Sequence, residues 1–224
     1  MLVKARKSQF NHFAGSCHEP GRGYHGFMYS KALMSDACVT ALWEPQEQLP
    51  KRQIVLTVET TGIDMDCGHR IIEIAAVELL NRRITGKRLH WYLNPDRGID
   101  SEAQLVHGLS IEFLRDKPKF SAIAGEFLDF IRGSELVVHN ARFDLDFLDY
   151  ELSLIGLEPA LYRGSAVTDT LTLARQRRPG SSNSLNSLCA EYQISVPADD
   201  FHGANLDAHM LAQVHLALTD RLLH

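Results

Sequence analysis

The stretch Arg52-Gln53-Ile54-Val55-Leu56-Thr57-Val58-Glu59-Thr60-Thr61-Gly62 decides how this chain is read. Gln53 to Glu59 is a run of apolar and β-branched residues, and Ile71-Ile72-Glu73-Ile74 downstream has the same character, so both read as β-strands of one sheet. Successive side chains of a strand alternate between faces, which sends Thr57 and Glu59 to the same side. A pair of carboxylates at that spacing would grip a divalent cation at the end of a strand. Glu59 supplies one of them. Thr57 offers only a neutral hydroxyl.

Outward from this segment the pattern stays sharp. Ile71–Leu80 and Ile84–Leu93 are two more β-rich runs, separated by the polar turn Asn81-Arg82-Arg83, and so short a connection implies antiparallel neighbours. Ser101 can cap a short helix toward Val106. Ser121 lies at the start of a longer one, in which Ile123, Phe127, Phe130 and Ile131 recur at helical spacing. Leu136-Val137-Val138 reads as a short buried strand. Phe143, Phe147, Tyr150, Leu154 and Leu157 form the apolar stripe of a helix that Gly156 and Pro159 end. Further helices are expected over Thr170–Gln176, Leu185–Tyr192 and Leu206–Leu222. Three antiparallel strands followed by alternating strand and helix predict an α/β or α+β domain, with a mixed sheet and helices on its faces.

The 224 residues suit one domain of ordinary size plus an extension. A hydrophobic content of 45% with 23% charged residues is that of a soluble globular protein, and no apolar run nears the roughly 20 residues that would span a bilayer. The net charge of −5 excludes a strongly basic coat for nucleic acid. It remains compatible with a site that holds phosphate through metal ions, because such sites collect acidic side chains. Cys17, Cys38, Cys67 and Cys189 lack CxxC spacing, so reduced thiols in a cytoplasmic protein are expected, not a zinc ribbon or a disulfide framework. Residues 1–50 follow neither period, are broken by Pro20-Gly21 and Gly23, and read as a flexible extension without assigned function. Glu19, Asp36, Glu44 and Glu47 argue against a transit peptide there. The domain is expected over 51–224.

Three clusters carry chemistry. The first is Glu59 with its Thr60-Thr61-Gly62 turn. The second is His139-Asn140-Ala141-Arg142-Phe143-Asp144, where a strand gives way to a helix. The third is His202-Gly203-Ala204-Asn205-Leu206-Asp207, which opens the last helix. Each places an acidic residue at a strand end or helix start, where α/β folds assemble their sites. Carboxylates converging from separate segments are what Mg²⁺ or Mn²⁺ requires, and two such ions can together activate water and stabilise a leaving oxygen. Taken alone, Asp144 and Asp169 would each also suit a helix N-cap, and Asp169 in Thr168-Asp169-Thr170-Leu171 is assigned that role. Glu73 and Glu78 are expected to be solvent-facing or structural. His69, His90, His209 and His215 are expected to be surface or packing residues, and Arg175, Arg177 and Arg178 a solvated basic run.

With these motifs in order, residues 51–220 resemble the DEDDh 3′→5′ exonucleases, in particular the branch that proofreads for a replicative DNA polymerase. Arg52-Gln53-Ile54-Val55-Leu56, Glu59-Thr60-Thr61-Gly62, Ile71-Ile72-Glu73-Ile74, Asn81-Arg82-Arg83, His139-Asn140-Ala141 and Phe143-Asp144 all carry the resemblance. It implies a ribonuclease H-like fold, a mixed five-stranded sheet flanked by helices. It implies that Glu59, Asp144 and Asp207 are ligands of two Mg²⁺ or Mn²⁺ ions, and that His202 deprotonates the attacking water. It further implies that Glu59, Thr60, Thr61, Glu102, His107, His139 and Asp207 meet the terminal nucleotide of a single-stranded 3′ DNA end.

The resemblance also shows two departures. The family writes Leu-Asp-Thr-Glu-Thr-Thr-Gly, and its first Asp, a metal ligand, is here Thr57. Asp64 and Asp66 in the following loop are not expected to replace it. Metal binding and turnover are therefore expected to be weakened, the alternative being a module that binds DNA ends or an accessory subunit without turnover. Members of the family continue into a clamp-binding motif and a tail that grips the polymerase subunit, whereas this sequence stops at Leu222-Leu223-His224. Tethering through that tail is accordingly not expected, while a small theta-type accessory subunit that binds the nuclease domain could still dock.

Overall fold

The computed structural model describes residues 51–158, 161–195 and 203–220, all within one compact unit. The expected N-terminal extension, residues 1–50, lies outside the described residues, as does the general-base candidate His202. Five strands, β1 (Arg52–Thr60), β2 (Ile71–Leu80), β3 (Arg83–Tyr92), β4 (Glu135–Val138) and β5 (Val167–Asp169), form a single sheet in the order β3-β2-β1-β4-β5. β1 is antiparallel to β2, and β2 to β3, while β4 runs parallel to both β1 and β5. This is the mixed α/β sheet with flanking helices that the motifs imply.

β1 lies in the middle of the sheet, with helices on each side: one face is apolar, and the other carries Gln53, Val55, Thr57 and Glu59. Ile54, Leu56 and Val58 pack into a core with Phe120, Ile123 and Phe127 of α3 (Phe120–Ile131) and with Ala141, Leu145 and Leu148 of α4 (Ala141–Leu154). Val55, on the other face, joins Ala174 of α6 (Thr170–Arg177), Leu185 and Leu188 of α7 (Leu185–Glu191), and Leu211, Val214 and Leu218 of α8 (Gly203–Leu218). The remaining helices are short: α1 (Ser101–His107), α2 (Ile111–Leu114) and α5 (Leu161–Gly164). Among the described residues no helix is long and apolar enough to cross a membrane.

The β2–β3 hairpin turns on two residues, Asn81 and Arg82, both with positive φ, which is the geometry whose twist matches a right-handed strand pair. Arg82 then reaches α8, donating to Leu216 O at 2.9 Å and Thr219 Oγ1 at 2.6 Å, a cation placed on the carbonyl end of that helix.

Several expectations shift by a residue or more. Ser101 is the first helical residue of α1, not its cap, which is Asp100. Ser121 is the second residue of α3, whose N-cap is Lys119. The last helix starts at Gly203, three residues before Leu206, and is described to Leu218. β5 is the strand that the pattern did not reveal, because three half-buried residues are too few to show a period. Of the two alternatives for Glu73 and Glu78, solvent-facing or structural, the structural one holds: both are buried. Glu78 is held by Arg52 Nε at 2.6 Å and Thr85 Oγ1 at 2.8 Å. Burial opposes its ionisation, but these two donors outweigh burial and hold its carboxyl below the ordinary value.

Two buried polar contacts fix the layers to the sheet. Glu151 of α4, almost fully buried, takes a bidentate pair from Arg70 (2.8 and 2.7 Å) and the Ile71 N–H at 3.1 Å, pinning α4 to the start of β2. At the opposite end of the sheet, Gln53 Nε2 lies 2.9 Å from Glu135 Oε2 and 3.3 Å from His215 Nε2 of α8. Burial lowers the pKa of His215 to about 4.

Two outcomes are expected from these contacts. Glu151→Ala strands a guanidinium against the core and should lower the unfolding free energy by about 3 kcal/mol, read from the urea midpoint at constant slope. For His215 the unfolded chain binds the proton first, near pH 6.5, and the folded chain only near pH 4. Its contribution is therefore present above the unfolded value and lost as pH falls from about 6.5 toward 4, up to on the order of 3 kcal/mol. In urea titrations from pH 7 to pH 4, His215→Gln should flatten this part of the stability profile.

Candidate active site

The site is built where β1 ends. Its pairing with β2 is regular from Arg52 to Glu59 and shifts register between Glu59 and Thr60, a bulge that turns the chain into Thr61-Gly62. Thr57 and Glu59 face the α8 side, opposite Ala75 and Glu73 of β2 respectively. α8 can lie close to β2 because Ala204 and Ala208 pack on Ala75 and Val77, small residues on both surfaces. This brings Asp207, buried in the second turn of α8, to the same side of the sheet as Glu59, which is also buried.

Asp144 arrives from the other layer. β4 is parallel to β1, so the chain leaves both strands at the same end of the sheet. Asn140 takes a left-handed φ of 67° to start α4, with its N–H held by Asp169 Oδ1 at 3.1 Å. One turn into α4, Asp144 is buried, and its Oδ1 accepts the Val58 N–H at 3.1 Å. The carboxylate is therefore docked on β1 between Thr57 and Glu59. Asp169 is the N-cap that the sequence suggested, accepting from Leu171 N at 2.9 Å and Thr172 N at 3.4 Å.

The other candidates occupy the same end. Thr60 Oγ1 donates to Gly62 O at 2.6 Å. His139 Nδ1 lies 2.9 Å from Thr170 Oγ1, which in turn donates to Val138 O, so the ring is anchored to the start of α6. Glu102 stands exposed in the first turn of α1, and His107 closes that helix, with its Nδ1 accepting Leu109 N–H at 3.0 Å. Asp64 and Asp66 are both exposed, and Asp64 caps a 3-10 turn, accepting the Asp66 N–H at 2.9 Å. Arg178, one of the basic run, is tied to Glu191 at 3.1 Å.

The two-metal centre that the resemblance implies needs several oxygen ligands grouped around each ion. Among the described residues, no three His, Cys, Asp or Glu side chains are grouped closely enough to hold a metal ion. At position 57, where a fourth carboxylate would stand, there is a half-buried threonine. The residues as placed fall short of a two-metal site, and hard divalent cations do not bind well to a lone neutral hydroxyl.

Two further groups around the site were not recognised from sequence. Glu73, fully buried beside Glu59, pairs with His90 Nε2 at 2.8 Å; burial raises the Tyr92 pKa, and the Glu73 carboxylate adds to that rise. Gly203 opens α8 against this carboxylate: with φ of +55°, a Cβ there would lie 2.4 Å from Glu73 Oε2. His69 is buried under the Thr61-Gly62 turn, 2.9 Å from Thr61 Oγ1. The only linear signal was the i, i+2 spacing of His90 and Tyr92, which puts both on the face of Glu73 once the hairpin register is known.

Such a sheet, with acidic residues from β1, α4 and α8 buried at one end, has the ribonuclease H-like exonuclease architecture, and the comparisons agree. The exonuclease family profile matches residues 54–215. DNA polymerase III subunit epsilon of Escherichia coli K12 is 53% identical over 173 residues, covering 75% of this chain and 71% of that protein. Among solved structures, the nuclease domain of 3′hExo, a DEDDh family member bound to rAMP, has a TM-score of 0.63 at 14% identity, covering 75% of this chain and 92% of that one. The zinc-bound form of E. coli exonuclease I in complex with single-stranded DNA has a TM-score of 0.66 at 18% identity, over 78% of this chain and 42% of that one. At these identities the structures show the shared fold. The chain belongs to the exonuclease family, in its DNA polymerase III epsilon branch, the proofreading 3′→5′ DNA exonucleases.

The Glu73–Gly203 approach gives a direct test. Gly203→Ala should destabilise the fold beyond the roughly 1–2 kcal/mol of a left-handed alanine, because its Cβ meets a carboxylate. Glu73→Ala removes that obstacle, so the two changes should be less costly together than their sum in a thermal-denaturation double-mutant cycle. Additive costs would show that the contact is not made.

Proposed function

We propose that the chain acts on a frayed single-stranded 3′ DNA end as a proofreading-type exodeoxyribonuclease whose turnover is curtailed by Thr57. The observation that carries the reading is the pairing of Thr57 with Glu59 on one face of β1, beside the docked Asp144. Glu59, Asp144 and Asp207 are the residues we assign to metal holding, and the chemistry that Mg²⁺ or Mn²⁺ supplies when bound is activation of water and charge neutralisation at phosphate. With threonine in place of a ligand, affinity for the ions falls and their spacing is no longer enforced from β1.

The remaining roles belong to the chain's own groups. Thr60, Thr61, Glu102, His107 and His139 line the approach to the terminal nucleotide. His202 takes a proton from the attacking water, a role suited to an imidazole whose ordinary pKa lies near neutrality. A mismatched 3′ end unpairs more readily than a matched one and so enters a single-strand site more often, which is the basis of selective removal. A small theta-type accessory subunit and a cytoplasmic setting belong to the same proposal. The second reading, a DNA-end-binding or subunit-binding module without turnover, is favoured by Thr57 and by the lack of a grouped metal-holding set among the described residues.

Thr57→Asp separates the two. Loss of groups that merely support a metal ligand costs about 10–100-fold, so restoring the ligand itself should raise release of nucleotides from a 5′-labelled strand by at least about a hundredfold. Calorimetric titration with Mn²⁺ should show one weak event in the natural chain and two tighter ones in the variant. Equal rates in the two proteins would sink the proposal that Thr57 limits turnover.

A further inference from the structure

His69 stands between two segments to which the proposed function assigns the 3′-terminal nucleotide. On one side its Nδ1 is 2.9 Å from Thr61 Oγ1; on the other its Nε2 is 3.3 Å from Asp100 Oδ2. Thr61 Oγ1 already accepts the Arg70 N–H at 3.0 Å. The Thr61 hydroxyl is fully buried, so its hydrogen needs an acceptor, and His69 Nδ1 is the one in reach among the described residues. With Nδ1 accepting, the ring proton stands on Nε2 and points at the Asp100 carboxylate. The polar chain thus runs in one direction, from the Arg70 amide through Thr61 and the imidazole to Asp100.

The backbone repeats the same linkage. Thr61 N–H donates to Arg70 O at 2.9 Å, and Asp100 N–H donates to Thr61 O at 2.9 Å. Asp100 is also the N-cap of α1, the helix that carries Glu102 and His107. The ring lies so close beneath Gly62 that a Cβ there would be 2.3 Å from its Cε1. A flat ring under a residue without a side chain, bonded at both edges, is a rigid spacer between two loops that would otherwise move separately.

We propose that His69 is a positioning residue for the 3′ end: it braces the Thr60-Thr61-Gly62 turn against the Asp100 end of α1, and so fixes the distance between the two walls of the terminal-nucleotide pocket. The proposal rests on the assignment of Thr60, Thr61, Glu102 and His107 to that pocket. It requires no metal and no turnover, so it can be read in the natural chain by binding alone.

The experiment compares anisotropy-measured affinities for two 5′-labelled single strands that differ only at the terminus, a 3′-hydroxyl or a 3′-phosphate, each with a phosphorothioate last linkage. The natural chain should prefer the hydroxyl end by at least about fivefold, the value of one or two hydrogen bonds. His69→Ala should bring the ratio near one. Asp100→Ala removes an exposed partner with little risk to folding, and should lower the ratio by roughly two- to threefold. Melting temperatures are taken alongside. A ratio unchanged in both variants, whatever their melting temperatures, overturns the brace and leaves the pocket assignment standing. Absence of a hydroxyl preference in the natural chain overturns the pocket assignment, and the brace with it.

Discussion

The docking of Asp144 on the Val58 amide is the contact on which the site depends. It joins a helix of one layer to the central strand at the point where Thr57 and Glu59 turn toward the other layer. A buried carboxylate is costly unless donors meet it, and a strand amide between two outward-facing residues is a fixed donor. The amide is available there because the ladder on that side ends at Val55: β4 pairs with Gln53 to Val55 and no further. The shortness of β4 thus does two things. It ends the β4 pairing before Val58, whose amide Asp144 takes, and it releases the chain at Asn140 in time to start α4 beneath it.

The same geometry explains why most of the architecture was legible and some of the site was not. β1, β2 and β3 announce themselves through composition and a two-residue turn, and α3 and α4 through stripes at helical spacing. These are local signals that the tertiary structure reinforces. β5 has only Val167, Thr168 and Asp169, and its existence follows from parallel pairing with β4, a contact between distant segments that leaves no periodic mark. The start of α8 was misjudged for a related reason. Gly203 and Ala204 are poor signals of an apolar face, yet they begin the helix because β2 presents Ala75, Val77 and the Glu73 carboxylate, to which only small residues can come close.

Motif residues and supporting residues differ in the same way. Glu59, Asp144 and Asp207 stand at a strand end and in early helical turns, positions that sequence alone marks as suitable for chemistry. Glu73, His90 and His69 act through partners that are 17 or 8 residues distant in the chain, or on another loop entirely. Histidine without motif spacing is usually a packing residue, and here it is packed. What the spacing does not convey is that each ring is bonded at an edge that faces the site, His90 to the carboxylate beside Glu59 and His69 to the turn that follows it.

Thr57 is best understood against this crowding. Glu59, Glu73, Asp144 and Asp207 are all buried at one end of the sheet, acidic side chains gathered from β1, β2, α4 and α8. An aspartate at position 57 would add a further charge, to be compensated by bound cations. Threonine adds no charge there, brings the β-branched shape that a central strand favours, and leaves the backbone that Asp144 uses. Threonine at position 57 thus fits the strand and leaves the contact of Asp144 with β1 in place.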